Sequence, residues 1–534
     1  MWVPTGSGLS VLSATDVRSD TSGSRRPSAD LVRVAGLVSV AALGLQAVAL
    51  LVISTVQYSR FGLGVDFTTS NQAAFLIAHG HLDPYVSTHR YPYLDDHFGL
   101  LLYPIALLYL VYPHGVVLLW LQDLAGVGAE VTAVWWVVEI VRRRMGSSAT
   151  YTGIEGGGAA RFVAPGIVLG VLVLLLSDPW FYTACLFDFH LNAFSALFLL
   201  LAARDAWNGR LGRAAIFAVL LLLTGDTGGL YLAGLGISVL LGAAGRRRYG
   251  AIAVVVGAVW VVAVHDLGVD HSHVLVGSYT YLVTGSPLVA GSVTLVTVAK
   301  ALIEHPQRWI QMIWGRKRIL YQVLVPTGVI GIVSPWAVGA DVMVYYLQAI
   351  AYPLTFLVNG FDMIAGILVV LVGSAMVMAA MAMSGRRFVR VIAAVLGLGM
   401  LVQSVVLGVV KIPETYNYFF QVSPSQAAVL SKGLAATPPS AEVIASWGVM
   451  GRFSDRQWDY PLYQGVEAAP VRARTVVFVL TTAGLEDDPP ATVAAITEYV
   501  RTELRATTIA ESHGVGIFEW HPPRGTTQVG IPSP

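Results

Sequence analysis

The chain has 534 residues, 55% of them hydrophobic and only 12% charged, with a formal net charge of +1. Ordinary soluble proteins carry about 25% charged residues, so a water-soluble globular enzyme is excluded, and the near-neutral balance gives no basis for nucleic-acid binding. A mean hydropathy of +0.67 and several nearly uncharged helix-length runs identify a multi-pass, all-α membrane bundle, since about 20 apolar residues in a helix cross the hydrocarbon core.

Residues 1–30, rich in Ser, Gly and Arg, read as a disordered cytoplasmic tail. The first apolar run, Val34 to Gln57, is too long for a signal-peptide core and lacks a small-residue cleavage site, so it reads as an anchored helix. Arg25, Arg26 and Arg33 at its start place the amino end in the cytoplasm. The loop 58–98 is then outside. Leu100 to Tyr112, closed by Pro113, is too short to span and is expected to lie along the outer interface.

Gly115 to Val141 returns to Arg142, Arg143 and Arg144, and Phe162 to Pro179 goes out again, leaving "LFDFHLN" at the outer face. Asn192 to Trp207, Ala214 to Thr224, Leu230 to Ala244 and Ala251 to Val264 continue the alternation. They put "NGRLGR" and Arg246 to Arg248 inside, and "GDTGG" and "HDLGVDHSH" outside. Phe361 to Met383 comes in to "SGRR", and Val391 to Val410 goes out. The count is about nine spans, or eleven if the region from His265 to Phe361 adds two. None of the 12 histidines falls in a firmly predicted cytoplasmic loop, which points to chemistry on the outer face.

From Lys411 the charges return. "EVIASWG" and "RTVVFVLTTAG" have the β-branched composition of short buried strands. "PPATVAAITEYVRTEL" reads as an amphipathic helix with Val493, Ile496, Val500 and Leu504 on one face, and "TIAESHGVGIFEWH" as a hairpin turning at "HGVG". The chain thus divides into the tail 1–30, a transmembrane domain 31–410 and a small extracytoplasmic α/β domain 411–534. Its single cysteine, Cys185, excludes an internal disulfide.

Acidic and imidazole side chains collect in the outer loops: Asp66 in "FGLGVDFTTSNQ", Asp95, Asp96 and His97 in "YLDDHFG", Asp188 and His190 in "LFDFHLN", and Asp226 in "GDTGG". Ionisable groups near a bilayer usually face a cavity or one another, and a carboxylate tuned by burial can act as a general base. Each has a plainer reading. Asp188 suits a cap for the helix that follows, His190 a histidine satisfied by backbone, and Asp226 a turn residue. "YLDDHFG" suits solvated surface, and a metal there would need a further ligand. "HDLGVDHSH" reads first as a polar loop, and "GRKR", Arg316 to Arg318, as a phosphate contact or as a cytoplasmic helix end.

The chain resembles the GT-C superfamily of membrane glycosyltransferases and, more narrowly, the bacterial membrane proteins grouped as the domain of unknown function 2079 family. The pieces that carry the resemblance are "GVDFTTSNQAAFLIAHGHLDPY", "HFGLLLYPIALLYLVYPHGVVLLWLQ", "DFHLNAFSALFLLLAAR", "LTGDTGGLYLAGLGISVLL" and "PPSAEVIASWGVMGRFSDRQWDYPL". They lie between Phe61 and Leu462. The resemblance implies that Asp66 is the general base of the transfer. It implies that Asp188, with His190 beside it, binds acceptor, metal or donor phosphate, and that His97 closes the first loop. Two features depart from the pattern: a Lys-Glu-Asp group is reduced to Gly225-Asp226, and a late His-Tyr pair to Tyr352.

The implied function is transfer of a sugar from a polyprenyl-phosphate donor to a cell-envelope acceptor, in contact with membrane lipids, with a divalent metal as a possible cofactor. Asp123, Glu130 and Glu139 within the second span keep open a transporter or flippase of lipid-linked substrates. A non-catalytic scaffold whose tail recruits envelope partners is the third reading.

Overall fold

The computed structural model describes residues 27–147, 160–266, 277–286, 293–341, 347–352, 364–462, 468–484, 488–530 and 532. Most of "HDLGVDHSH" lies outside the described residues, as does the tail up to residue 26.

The helices in chain order are α1 (Pro27–Ser59), α2 (Val65–Ala78), α3 (Val116–Ser147), α4 (Val163–Leu176), α5 (Pro179–Leu186), α6 (Asn192–Asn208), α7 (Leu211–Leu222), α8 (Gly228–Gly242) and α9 (Arg247–Asp266). They continue with α10 (Leu295–Glu304), α11 (Pro306–Gly315), α12 (Lys317–Thr327), α13 (Ile364–Ala382), α14 (Arg387–Phe419), α15 (Pro424–Ala436) and α16 (Pro490–Thr502). Each of the nine segments expected to span contains a helix among its described residues. Among the described residues five helices are long and apolar enough to cross a membrane alone; α4 and α5, bent by 46° at their junction, make a sixth as a pair, and α7 and α8 are apolar but shorter.

Helix α3 is central, packing against α1, α4, α6 and α13. The shared core holds Trp136, Val137, Leu199, Leu200 and Leu368. On the outside of the bundle, Leu45, Val48 and Val52 of α1 and Val395, Leu398 and Val402 of α14 are exposed. An apolar surface of this extent on a soluble protein would aggregate; here it is the face for lipid. The segment Leu102–Ala106, continued as a 3₁₀ turn through Leu110, is the short helix expected before the second span. It exposes Leu107, Leu110 and Val111.

The carboxyl-terminal segment builds a five-stranded sheet from β1 (Glu442–Ala445), β2 (Asp459–Pro461), β3 (Val476–Thr481), β4 (Thr507–Ser512) and β5 (Val515–Trp520), in the order β2-β1-β3-β5-β4. The first three are parallel, and β5 runs antiparallel to β3 and β4. The β4–β5 hairpin turns on His513 and Gly514, both at positive φ, the conformation a tight two-residue hairpin turn needs. Alternation along the strands serves two faces. Val443, Val477, Val479 and Ile517 meet Leu430 of α15, whereas Ile444, Phe478 and Phe518 meet Val493, Ile496 and Val500 of α16.

The first of these cores is completed from outside the segment, by Phe61 of the α1–α2 turn and Val65 at the start of α2. Phe61 is held at φ 59, uncommon for a bulky residue. Its fully buried ring packs against Phe453 and lies under the Arg452 guanidinium. The Gly451 N–H donates to the Leu63 carbonyl at 3.1 Å. A Cβ on Gly451 would stand 2.7 Å from Leu63 Cβ, so only glycine allows this approach. Gly451→Val is therefore expected to cost about 1–3 kcal/mol by overpacking. Thermal denaturation and limited proteolysis of the detergent-solubilised protein should show a lower midpoint and faster cleavage between α14 and β1.

Candidate active site at the α5–α6 turn

Helix α2 begins without a cap of its own, because Gly64 at its N-cap position has no side chain. The free N–H groups of its first turn need acceptors. They find one from far away in sequence: the Asp188 carboxylate accepts from Gly64 N at 3.0 Å and from Phe67 N at 3.0 Å. Asp188 is a helix cap, but for α2 and not for the helix that follows it, which starts after Leu191 without a side-chain cap. A Cβ at position 64 would lie 3.1 Å from Asp188 Oδ2, so glycine also makes room for the carboxylate.

The second helical residue of α2 is Asp66. It lies in the first turn of the helix. Across from it stands His190, with Nε2 at 3.4 Å from Asp66 Oδ2. The imidazole is held on two sides and its backbone is anchored as well. Its Nδ1 is 2.8 Å from the Asp188 carbonyl, its ring stacks on Phe187, and its backbone N–H donates to Gln122 Oε1 at 2.6 Å. A carbonyl oxygen only accepts, so Nδ1 carries the hydrogen. Nε2 is then the atom that faces Asp66, and the contact is favourable when a proton lies between the two. Asp188 thus acts twice, through its side chain on the helix that presents Asp66 and through its carbonyl on the ring that faces Asp66.

Exposure separates the roles. Asp188 is 3% exposed, whereas the side chains of His190 and Asp66 are 17% and 44% exposed. Asp66 is the member that an incoming molecule can reach. Burial, and next the neighbouring Asp66 carboxylate, push the Asp188 carboxyl up to about 7, against the pull of the Gly64 and Phe67 N–H groups and of His190.

Two glutamines that sequence reasoning passed over hold the turn in place. Gln122 Nε2 of α3 donates to the carbonyls of Ala184, Cys185 and Phe187. Gln57 Nε2, at the end of α1, bridges the Gly62 and Leu186 carbonyls at 3.0 and 2.7 Å. The available signal was a lone amide inside an apolar run in each case. Farther along α2, Asn71 donates to Ser454 Oγ and Asp455 Oδ1 at 2.7 and 2.8 Å, and Gln72 to the Gln457 carbonyl at 3.0 Å. The carboxyl-terminal segment is thereby tied to the helix that carries Asp66.

The other expected site residues have different surroundings. Asp226 is buried and accepts locally from Thr227 N at 2.7 Å, the turn role. Its loop meets the first loop through Leu101 N, which donates to the Leu223 carbonyl at 2.7 Å. Tyr352 is partly exposed, donates its N–H to the Ser278 carbonyl, and shares with Tyr279 and Tyr281 the surroundings of the buried Arg316. His97 ends the short helix Leu94–His97, and its side chain lies outside the described residues.

The Asp188 oxygens accept from backbone N–H groups and His190 Nδ1 stands against a carbonyl, and among the described residues no group of three His, Cys, Asp or Glu is arranged to hold a divalent metal.

Fold and site together define a multi-pass helical membrane protein with a docked α/β segment and an acid–imidazole pair at one end of its bundle. The chain belongs to the DUF2079 family of predicted membrane proteins, whose model matches residues 64–491. Among solved structures it is similar to ArnT from Cupriavidus metallidurans bound to undecaprenyl phosphate, at 13% identity and a TM-score of 0.45, over 89% of this chain and 97% of that one. The apo structure of the same ArnT matches at 13% and 0.44, over 90% and 98%. No curated protein matches.

An unfolded aspartate titrates near 3.9, so a folded value of about 7 means that the folded protein holds a proton which the unfolded chain has released. The stability this contributes is full below the unfolded value and is lost as pH rises towards 7. The melting temperature of the wild type is therefore expected to fall from pH 5 to 7 more steeply than that of Asp188→Asn. Parallel curves would remove Asp188 from the account of this titration.

Proposed function

We propose that this protein is a GT-C-type glycosyltransferase that moves a sugar from a polyprenyl-phosphate donor to an acceptor hydroxyl on the extracytoplasmic side. In this reading the amino terminus is cytoplasmic, by its arginines, and Asp66 and the carboxyl-terminal segment face outward. The observation that carries the proposal is the pairing of a half-exposed Asp66 with a fixed His190 beside the membrane domain.

In the reaction, Asp66 takes the proton from the acceptor hydroxyl. The hydroxyl oxygen forms the new bond to the anomeric carbon as the bond from that carbon to the phosphate oxygen breaks. Polyprenyl phosphate leaves with the electron pair. His190 keeps Asp66 oriented and accepts or returns the proton through Nε2. The docked carboxyl-terminal segment would orient the acceptor, and lipid in the surrounding bilayer would bring the donor.

The transport reading rests on carboxylates inside the second span, and two of the three have structural partners. Asp123 accepts from Ser54 Oγ at 2.7 Å, and Glu139 pairs with Arg204 and Asn208.

Replacing a general base typically lowers rate by about 10²–10⁴-fold. Asp66→Asn is expected to do so while keeping the wild-type melting temperature, and His190→Gln to reduce transfer with the base still present. The assay is lipid analysis of a deletion strain complemented with each variant, in which the inactive forms accumulate a polyprenyl-phosphate sugar. Full complementation by Asp66→Asn would refute its role.

A further inference from the structure

Helices α10 and α11 form an arm outside the Asp66 site. A capping box of Thr294 and Thr297 starts α10, and Pro306, in the first turn of α11, ends one helix and opens the next. Each helix has 10 residues, about 15 Å at 1.5 Å per residue, too short to cross a core of roughly 30 Å.

Both helices divide their surface in three. One face is turned to protein: Val298 and Leu302 of α10 and Trp309 and Met312 of α11 pack in one cluster with Leu282 and Ile350. A second face is polar and exposed, with Lys300 and Glu304 on α10, paired at 3.6 Å, and Gln307 and Gln311 on α11. The third is apolar and exposed. Val296 and Ile303, seven residues apart, form it on α10, and Pro306, Ile310 and Trp314, four apart, on α11. Val296, Ile303, Ile310 and Trp314 are 72%, 82%, 51% and 69% exposed. A surface helix of a globular protein has a core face and a water face; a third, apolar face calls for a third medium.

The surroundings identify that medium. Arg316 Nη1 donates to the Ala349 carbonyl at 3.0 Å, and Tyr281 Oη to the Ile350 carbonyl at 2.8 Å. The chain therefore leaves the arm at Lys317 and is back beside it by Ala349. In between, α12 runs along α13, with Val323 against Ile367 and Val370 and Ser374 Oγ donating to the Thr327 carbonyl at 2.9 Å. Helix α12 also packs on α14, whose exposed Val395, Leu398 and Val402 belong to the lipid-facing surface. The arm thus sits at the end of the bundle where α13 begins, joined to the lipid-covered side. Tryptophan favours this level of a bilayer, and Lys317 Nζ stands 4.3 Å from the centre of the Trp314 ring.

We propose that α10 and α11 lie in the plane of the bilayer interface, with Val296, Ile303, Ile310 and Trp314 inserted among phospholipid acyl chains and Lys300, Glu304, Gln307 and Gln311 in water. Short helices with one apolar and one polar face are held at the headgroup–acyl boundary in this way. The placement does not rest on the glycosyl-transfer proposal.

The test is spin labelling of the full-length protein in phospholipid nanodiscs, one introduced cysteine at a time; the native Cys185 is buried. Insertion by roughly 5–10 Å should give labels at Ile303→Cys and Ile310→Cys an oxygen-to-nickel-chelate collision ratio about fivefold above that of labels at Lys300→Cys and Gln311→Cys. Equal ratios on the two faces would put both in water and overturn the proposal. Shielding of the Ile303→Cys and Ile310→Cys labels from both reagents would assign the face to a protein contact and overturn it as well. A readout that needs no variant is photolabelling of the wild type by a phospholipid carrying a diazirine in its upper acyl chain. Adducts are expected on both the arm and α14, and adducts on α14 without any on the arm would contradict the insertion.

Discussion

The arrangement of this protein depends on one buried carboxylate. Asp188 closes the start of a helix 124 residues upstream by accepting from Gly64 and Phe67, and its carbonyl sets the tautomer of His190. A helix start with a glycine at the cap position and a buried first turn would otherwise leave donors without acceptors, a cost of about 1–3 kcal/mol for each buried group. The same contact brings Asp66 opposite the imidazole. The start of α2 and the placement of Asp66 therefore come from one interaction.

Around that contact the polar side chains of α2 act as an assembly seam. Its first turn meets the α5–α6 turn. Its second turn, through Asn71 and Gln72, meets residues 454–457 of the carboxyl-terminal segment and, at Ser87, the short antiparallel pairing of Tyr85–Val86 with Tyr91–Pro92. The α1–α2 turn lends Phe61, and the start of α2 Val65, to the sheet core. In a chain that is 12% charged, such a concentration of amides and carboxylates at one junction is affordable because nearly every group has a partner.

Much of this was legible in the residues. Helix-length apolar runs bounded by arginines located all nine expected helices, since hydropathy and length are local properties. The strands "EVIA" and "VVFVLT", the helix at Pro490 and the turn at His513-Gly514 followed from β-branched composition and turn chemistry. Asp66, Asp188 and His190 stood out as polar residues at the edges of apolar runs, and they meet. What the sequence could not supply was the direction of each contact. Asp188 next to α6 suggested a cap for α6, and only the folded chain shows that it reaches α2. Gln57 and Gln122 bind carbonyls of a turn distant in sequence, and no spacing rule links them to it. Asp226 and Tyr352 carried a family resemblance; Asp226 accepts from the adjacent Thr227 N–H, and Tyr352 donates its N–H to the Ser278 carbonyl.

The most direct measurement is hydrogen exchange by mass spectrometry on the solubilised protein, comparing wild type with Asp188→Ala. The account predicts that amides of Gly64 to Thr69 exchange at least tenfold faster in the variant, while the β3–β5 sheet keeps its protection. Unchanged protection at the start of α2 would show that Asp188 does not hold that helix, and the basis for placing Asp66 against His190 would be gone.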